Sequence, residues 1–274
     1  MMNILTMEGV CLSFARKHRD EERKQVLSNL TFAVRRGEAF GFLGPSGAGK
    51  TTTIKLLTRQ LAKDAGRIQL FGRPIENAAP ADYERMSIED NLRFYANIRG
   101  VSPSGIPRLL ERMGLERDRK TLIKTCSKGM RQRAALLAAL IHSPELVFLD
   151  EPTSGLDPVA RTEVHRMLAE LRSAGTTIFI TTHDMAEAEE VCDRVGILNE
   201  GSLVACDEPD ALKLRFARNR VSVRTRTRGT IETTKDAAGA PVLAELLEAG
   251  ECLSIHSDEP NLEEVFLELT GREL

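Results

Sequence analysis

The sequence predicts an α/β fold built on a parallel sheet with helices on both faces. Three observations point there. Short, mostly apolar runs at residues 38–43, 146–149, 176–181 and 195–198 read as buried strands, because a strand covered on both faces has no polar side to show. Helical stretches separate these runs, as crossovers between parallel strands require. A glycine-rich turn, Gly44-Pro45-Ser46-Gly47-Ala48-Gly49-Lys50-Thr51, leaves the first run and opens a helix predicted over residues 51–61.

The remaining elements follow from periodicity. Residues 4–14 and 29–34 alternate or run apolar and are predicted strands. Between them, Arg16-Lys17-His18-Arg19-Asp20-Glu21-Glu22-Arg23-Lys24 is a charged surface loop. Residues 85–142 are mainly helical in pattern, with Ile88, Leu92, Phe94 and Tyr95 marking one amphipathic segment and residues 106–113 another. Helices are predicted at 158–173 and 185–192. Asn199-Glu200-Gly201 turns the chain into a hairpin-like strand at 202–205.

After about residue 215 the composition changes. Residues 221–227 alternate apolar or small residues with arginine, Ala237-Ala238-Gly239-Ala240 reads as a flexible stretch, and helices at 241–248 and 261–269 flank a strand at 252–256. The expected organisation is a domain over 1–210, with a helical subdomain at about 85–142, and a small α+β C-terminal appendage over 211–274. No internal repeat is evident.

Composition narrows the function. The 274 residues suffice for one large domain with a small addition. The 38 basic and 40 acidic residues nearly cancel, whereas a nucleic-acid binder usually carries a basic excess, so no nucleic acid is expected as a partner. Cys11, Cys126, Cys192, Cys206 and Cys252 form no CxxC pair, which argues against a zinc site and suits a reducing compartment. The start has no basic n-region, and the longest apolar run, residues 134–141, is far short of a membrane helix. A role at a membrane would require docking on another polypeptide.

The glycine-rich turn matches GxxxxGK[ST] between a predicted strand and a predicted helix. Gly44, Gly47 and Gly49 let backbone N–H groups turn inward around phosphate oxygens, with Pro45, Ser46 and Ala48 completing the loop. The helix start adds its positive dipole end, and Thr52 joins the nucleotide-binding residues there. Lys50 reaches the β- and γ-phosphates as a point charge, and the Thr51 hydroxyl is a hard ligand for Mg²⁺. The bland alternative is a glycine turn with an incidental lysine.

A second site is acidic. Leu146-Val147-Phe148-Leu149-Asp150-Glu151 puts two carboxylates at the C-terminal end of a buried strand, the edge where parallel sheets bind ligands. Asp150 can hold Mg²⁺ through water, leaving Glu151 to polarise a water that attacks the γ-phosphate. Alternation along an extended chain would point the two carboxylates in different directions. Alone, such a run could equally be a surface cap for the next helix.

Three further segments carry a family resemblance: Cys126-Ser127-Lys128-Gly129-Met130-Arg131-Gln132-Arg133, Ser154-Gly155-Leu156-Asp157, and Thr181-Thr182-His183-Asp184. In this order, with Phe148-Leu149-Asp150-Glu151-Pro152-Thr153 between the first two, the chain resembles the ATP-binding cassette ATPases over about residues 4–210. The resemblance implies a P-loop NTPase with a RecA-like parallel sheet core, an antiparallel β-subdomain and a helical subdomain. It implies ATP and Mg²⁺ as cofactors and a head-to-tail dimer with a second copy. In that dimer Ser127 and Gly129 bind the γ-phosphate of ATP held by the other copy, Asp157 links the two sites, and His183 contacts the γ-phosphate and the attacking water. Phe14 is the candidate to stack on adenine. Taken alone, Ser127 is an ordinary helix cap, His183 a structural histidine and Phe14 a core residue. The signature departs from the family's LSGGQ at Cys126, Lys128 and Met130.

The ending, with Asn261-Leu262-Glu263-Glu264-Val265-Phe266, resembles the tail of cassette subunits paired with bacterial drug, antibiotic or peptide exporters. That implies hydrolysis powering export through a separate integral membrane permease, with this chain cytoplasmic and peripheral on the inner face of the membrane. The alternatives are a soluble non-transport cassette ATPase, or a catalytically impaired ATP-binding module. The second alternative has a motive: the family places a strand and a glutamine loop where Phe71 to Ser87 run almost directly into the helical region. The glutamine position falls near Ala78, and Asn77, Asp82 or Glu84 could each supply an oxygen instead.

Overall fold

The computed structural model describes residues 2–14, 23–74, 86–257 and 259–271. These fall into two compact units, the first ending at Asp207 and the second beginning at Glu208.

The first unit opens with β1 (Asn3–Phe14) and β2 (Lys24–Arg35), an antiparallel pair in which Phe14 faces Lys24. Charged Lys24, expected in a loop, is therefore strand, because its backbone pairs with β1. Then come β3 (Ala39–Leu43), α1 (Lys50–Leu57), β4 (Ala65–Leu70) and the two-residue β5 (Arg73–Pro74). β4 pairs antiparallel with β1, giving a sheet ordered β2-β1-β4-β5. Asn77, Ala78, Asp82 and Glu84, the positions discussed for the glutamine loop, lie outside the described residues.

Three helices follow: α2 (Ile88–Ile98), α3 (Ile106–Arg112) and α4 (Lys128–Leu140). In α2 Ile88, Leu92 and Ala96, at i, i+4 and i+8, are fully buried and form the packing face, while Phe94 and Tyr95, read with Ile88 and Leu92 as one amphipathic segment, are only half-buried. Ser87 caps this helix, its Oγ accepting from Asp90 N–H.

The parallel core continues with β6 (Leu146–Asp150), α5 (Pro158–Ser173), β7 (Thr177–Thr182), α6 (Met185–Val191), β8 (Arg194–Asn199) and β9 (Ser202–Asp207). Its order is β6-β7-β3-β8-β9, parallel except for the β8–β9 hairpin. All of β3 and β7 is buried, as central strands covered on both faces must be. Phe40, Phe42 and Phe179 from this sheet pack on Phe32 of β2 at centroid separations of 5.3 to 6.0 Å. The antiparallel sheet and the parallel sheet thus share one core.

The second unit contains α7 (Pro209–Phe216), β10 (Val221–Thr225), β11 (Thr230–Thr233), α8 (Ala240–Glu248), β12 (Cys252–Ser257) and α9 (Leu262–Thr270). Its sheet runs β11-β10-β12, all antiparallel. Val221 and Val223 alternate inward against Leu246 of α8. The stretch expected to be flexible is a turn. The Asp236 carboxylate accepts from Ala238 N–H and the Thr234 hydroxyl on one oxygen and from the Asn219 amide on the other. α9 carries a full capping box, Asn261 with Glu264, and ends at Gly271 in the left-handed region.

Candidate active site

The phosphate loop lies between β3 and α1. Gly49, the residue before the helix, has φ +111°, and a side chain there would stand 2.7 Å from Leu27, so both conformation and space demand glycine. Among the described residues, the N–H groups of Ser46, Gly47, Gly49, Lys50, Thr51 and Thr52 donate to no protein acceptor. The last three are the orphan donors of a helix start. Together they are a row of free donors suited to an anion.

Lys50 is buried at the base of this loop. Its ammonium donates to the carbonyl oxygens of Gly44 at 2.6 Å and Pro45 at 3.2 Å and stands 3.7 Å from Glu151 Oε1. Burial pulls its proton affinity below the usual lysine value, and the carboxylates of Glu151 and Asp150 oppose that shift. Thr51 is exposed beside it, while Thr53 turns inward and bonds its own helix at Gly49 O.

β6 delivers the two carboxylates. In the parallel register Asp150 lies opposite Thr181, whose hydroxyl donates to Asp150 Oδ1 at 2.6 Å. Glu151 has already left the strand, with φ +47°. Alternation along a strand is therefore not what separates the two side chains; a left-handed turn at Glu151 is. A non-glycine residue held there costs about 1–3 kcal/mol. It is offset by Glu151 N–H donating to Thr181 O at 3.0 Å and by Gln132 of α4 donating to the Glu151 carbonyl. His183, just beyond β7, brings Nδ1 to 3.4 Å from Glu151 Oε1. Lys50, Asp150, Glu151 and His183 are thus brought to one end of the parallel sheet.

The signature residues start α4. Ser127 Oγ accepts from Met130 N–H at 3.2 Å, so it is a helix cap in this state. Gly129 approaches Leu156, and Lys128 donates to Ser154 Oγ at 3.2 Å. Asp157 caps α5, its Oδ1 accepting from Ala160 N–H at 2.9 Å. That hydrogen bond is the main reason its carboxyl is held below the usual aspartate range. Phe14 ends β1 with 40% of its surface exposed, which suits a stacking platform better than a core residue.

Sequence reasoning missed Gln132 and Thr181 as members of this site. Thr181 and Gln132 stood inside quoted motifs, but only the register of β6 against β7 reveals the contact of Thr181 with Asp150, and only the packing of α4 reveals that of Gln132 with Glu151.

For Mg²⁺, the donors offered are the Thr51 hydroxyl and the Asp150 carboxylate. No group of three or more His, Cys, Asp or Glu side chains able to hold a metal occurs among the described residues. A hydroxyl with one carboxylate suits Mg²⁺, which keeps several waters and takes phosphate oxygens as ligands.

The chain is similar to known proteins in both sequence and fold. A family profile described as ABC transporter matches residues 27–154. The fluoroquinolones export ATP-binding protein of Mycobacterium tuberculosis is 41% identical over 263 residues, covering 89% of this chain and 87% of that protein. The Nod factor export ATP-binding protein I of Cupriavidus metallidurans is 36% identical, covering 91% and 93%. The linearmycin resistance ATP-binding protein of Bacillus subtilis is 32% identical, covering 92% and 96%. A solved ATP-binding subunit of an ABC transporter superposes with a TM-score of 0.66 at 30% identity, over 78% of this chain and 93% of that one. A dimeric post-hydrolysis cassette bound to ADP and Pi superposes at 0.66 with 20% identity, over 74% and 98%, and shares the fold. This chain belongs to the ABC transporter family and is one of its ATP-binding proteins.

Proposed function

We propose that this chain is the ATP-hydrolysing motor of an exporter, working as a pair of copies on a separate membrane permease. The observation that carries the catalytic part is the set of free N–H groups at Ser46, Gly47 and Gly49 to Thr52, with buried Lys50 beneath it and Glu151 Oε1 3.7 Å from its ammonium. Such an array favours a polyanion such as a polyphosphate.

In this reading the N–H groups of Ser46, Gly47, Gly49, Lys50, Thr51 and Thr52 and the Lys50 ammonium hold the ATP phosphates. Phe14 stacks on adenine. Thr51 and Asp150 hold Mg²⁺, which supplies charge neutralisation at the β- and γ-oxygens. Glu151 accepts hydrogen-bonding from the attacking water and polarises it, while His183 orients that water and the γ-phosphate. A second copy contributes Ser127 and Gly129 to the γ-phosphate, and Asp157 connects the two sites.

Export is supported by the names of the relatives, three of which refer to export of, or resistance to, organic compounds. No helix among the described residues is long and apolar enough to cross a membrane, so the pathway itself belongs to the permease, with this chain docked at its inner face. Substrate choice then lies in the permease.

A second reading, a module with weakened hydrolysis, has one specific support. The mycobacterial alignment runs over 263 positions yet spans only 89% of these 274 residues, so that relative has residues this chain lacks. Steady-state ATPase of the purified chain, alone and with its permease in vesicles, separates the two. Stimulated turnover with substrate accumulation supports the motor; nucleotide binding without turnover supports the module.

A further inference from the structure

We propose that Glu187 is a positioning residue of the ATPase site, a buried carboxylate that locks the loop carrying His183 to the loop following Glu151. The inference rests on the roles proposed above for those two residues.

Glu187 lies in the first turn of α6 with its side chain 1% exposed. Burying a carboxylate is unfavourable unless donors surround it, and here they come from three different segments. Oε2 accepts from the Thr182 hydroxyl at 2.6 Å. Oε1 accepts from the Thr153 hydroxyl at 2.7 Å and faces His165 Nε2 of α5 at 3.2 Å. Among the described residues no lysine or arginine pairs with it.

The two threonines give the arrangement its meaning. Thr182 immediately precedes His183, and Thr153 is two residues beyond Glu151. His183 and Glu151 meet at 3.4 Å on the far side of these anchors. A carboxylate has two equivalent acceptor oxygens and can hold both hydroxyls at once; an amide has one. The Thr182 loop is further fixed by Asp184, whose N–H donates to Thr182 Oγ1 at 3.0 Å and whose Oδ1 caps α6 at Glu187 N–H. Arg161 of α5 holds the other Asp184 oxygen at 2.7 Å. The separation of base and histidine is thus set through Glu187, which touches neither of them.

The test is a double-mutant cycle of Glu187→Gln with His183→Gln, reading kcat and ATP affinity in the assembled transporter. Glu187→Gln is expected to lower kcat about tenfold, the cost of a small misplacement of reacting groups, with ATP affinity changed less than about twofold. In the His183→Gln background the same substitution is expected to cost less than about twofold more, because its effect passes through His183. Equal losses in both backgrounds would overturn the inference, as would an affinity loss at unchanged kcat. Should Glu187→Gln fail to fold, Thr153→Val removes one of the two hydroxyls isosterically and carries the same expectations. An unchanged kcat in His183→Gln overturns the role of His183 itself. A reduced kcat there, with normal kcat in Glu187→Gln and Thr153→Val, overturns the positioning role alone.

Discussion

Lys50 Nζ stands 3.7 Å from Glu151 Oε1, so the cation expected to meet phosphate is held by the carboxylate expected to activate water. The same ammonium is also bonded to two loop carbonyls. Among the described residues no other lysine or arginine is buried. Lys50→Ala is therefore expected to weaken ATP binding about 10–100-fold, the range for losing charge-assisted hydrogen bonds. Titration with a fluorescent ATP analogue measures it, and wild-type affinity in the variant would remove Lys50 from phosphate binding.

The same relationship separates binding from turnover at Glu151. An amide keeps the shape of Glu151 but neither polarises water nor competes with phosphate for Lys50. Glu151→Gln is expected to cut turnover by about 10²–10⁴-fold while binding ATP at least as tightly as wild type. With Mg-ATP it should persist as a dimer in size-exclusion chromatography. Normal hydrolysis in this variant would move the catalytic role to His183.

The contrast between these two residues shows what the sequence carries. Lys50 was legible because its motif is local: spacing, glycines and the helix start all lie within eight residues. α5 was legible to the residue, since Asp157 caps it, Pro158 opens it and Ala174 closes it. α1 is shorter than expected because the chain turns left-handed at Arg59, φ +65°, which no pattern around it signals. α7 was overlooked although Pro209 at its first position and Asp210 in its first turn are start signals. β11 escaped because Thr230-Ile231-Glu232-Thr233 has little apolar alternation and is strand through pairing with β10. Glu187 could not be found at all. Its partners lie at 153, 165 and 182, and only the packing of α5, α6 and β7 brings them together.

Asp157 links a capping role to pH. Hydrogen bonding from Ala160 N–H, first among several backbone donors, keeps its carboxyl below the usual aspartate value in the folded state. A group depressed in this way contributes stability that is present above its unfolded value and lost as pH falls through its folded value. The wild-type melting temperature should therefore fall as pH drops below about 4. Asp157→Asn keeps a capping oxygen without a titrating group, so its loss over that window should be smaller. Differential scanning fluorimetry from pH 6 to pH 3 measures both. Parallel curves would show that Asp157 makes no contribution to acid sensitivity.

Between Ile75 and Met86 the sequence carries no glutamine, where the family places a strand and a glutamine loop. The family resemblance implies that, without that glutamine, bound Mg²⁺ would have one protein oxygen fewer. A water can fill the position, but it is not held in place, so charge developing on the γ-phosphate is stabilised less well. In the family that loop also belongs to the surface that meets the permease, so stimulation by a permease is expected to weaken together with the rate. Lys50 and Thr51 come from a separate loop, and phosphate affinity should be close to that of intact relatives. Inserting the corresponding strand and loop from an intact relative after Ile75 is expected to raise steady-state hydrolysis with ATP affinity changed little. Comparison of the two proteins, each with and without permease, separates rate from coupling. If the unmodified chain already hydrolyses ATP as fast as the extended one, the glutamine is dispensable here, and single substitutions at Asn77, Asp82 and Glu84 would identify the oxygen that serves in its place.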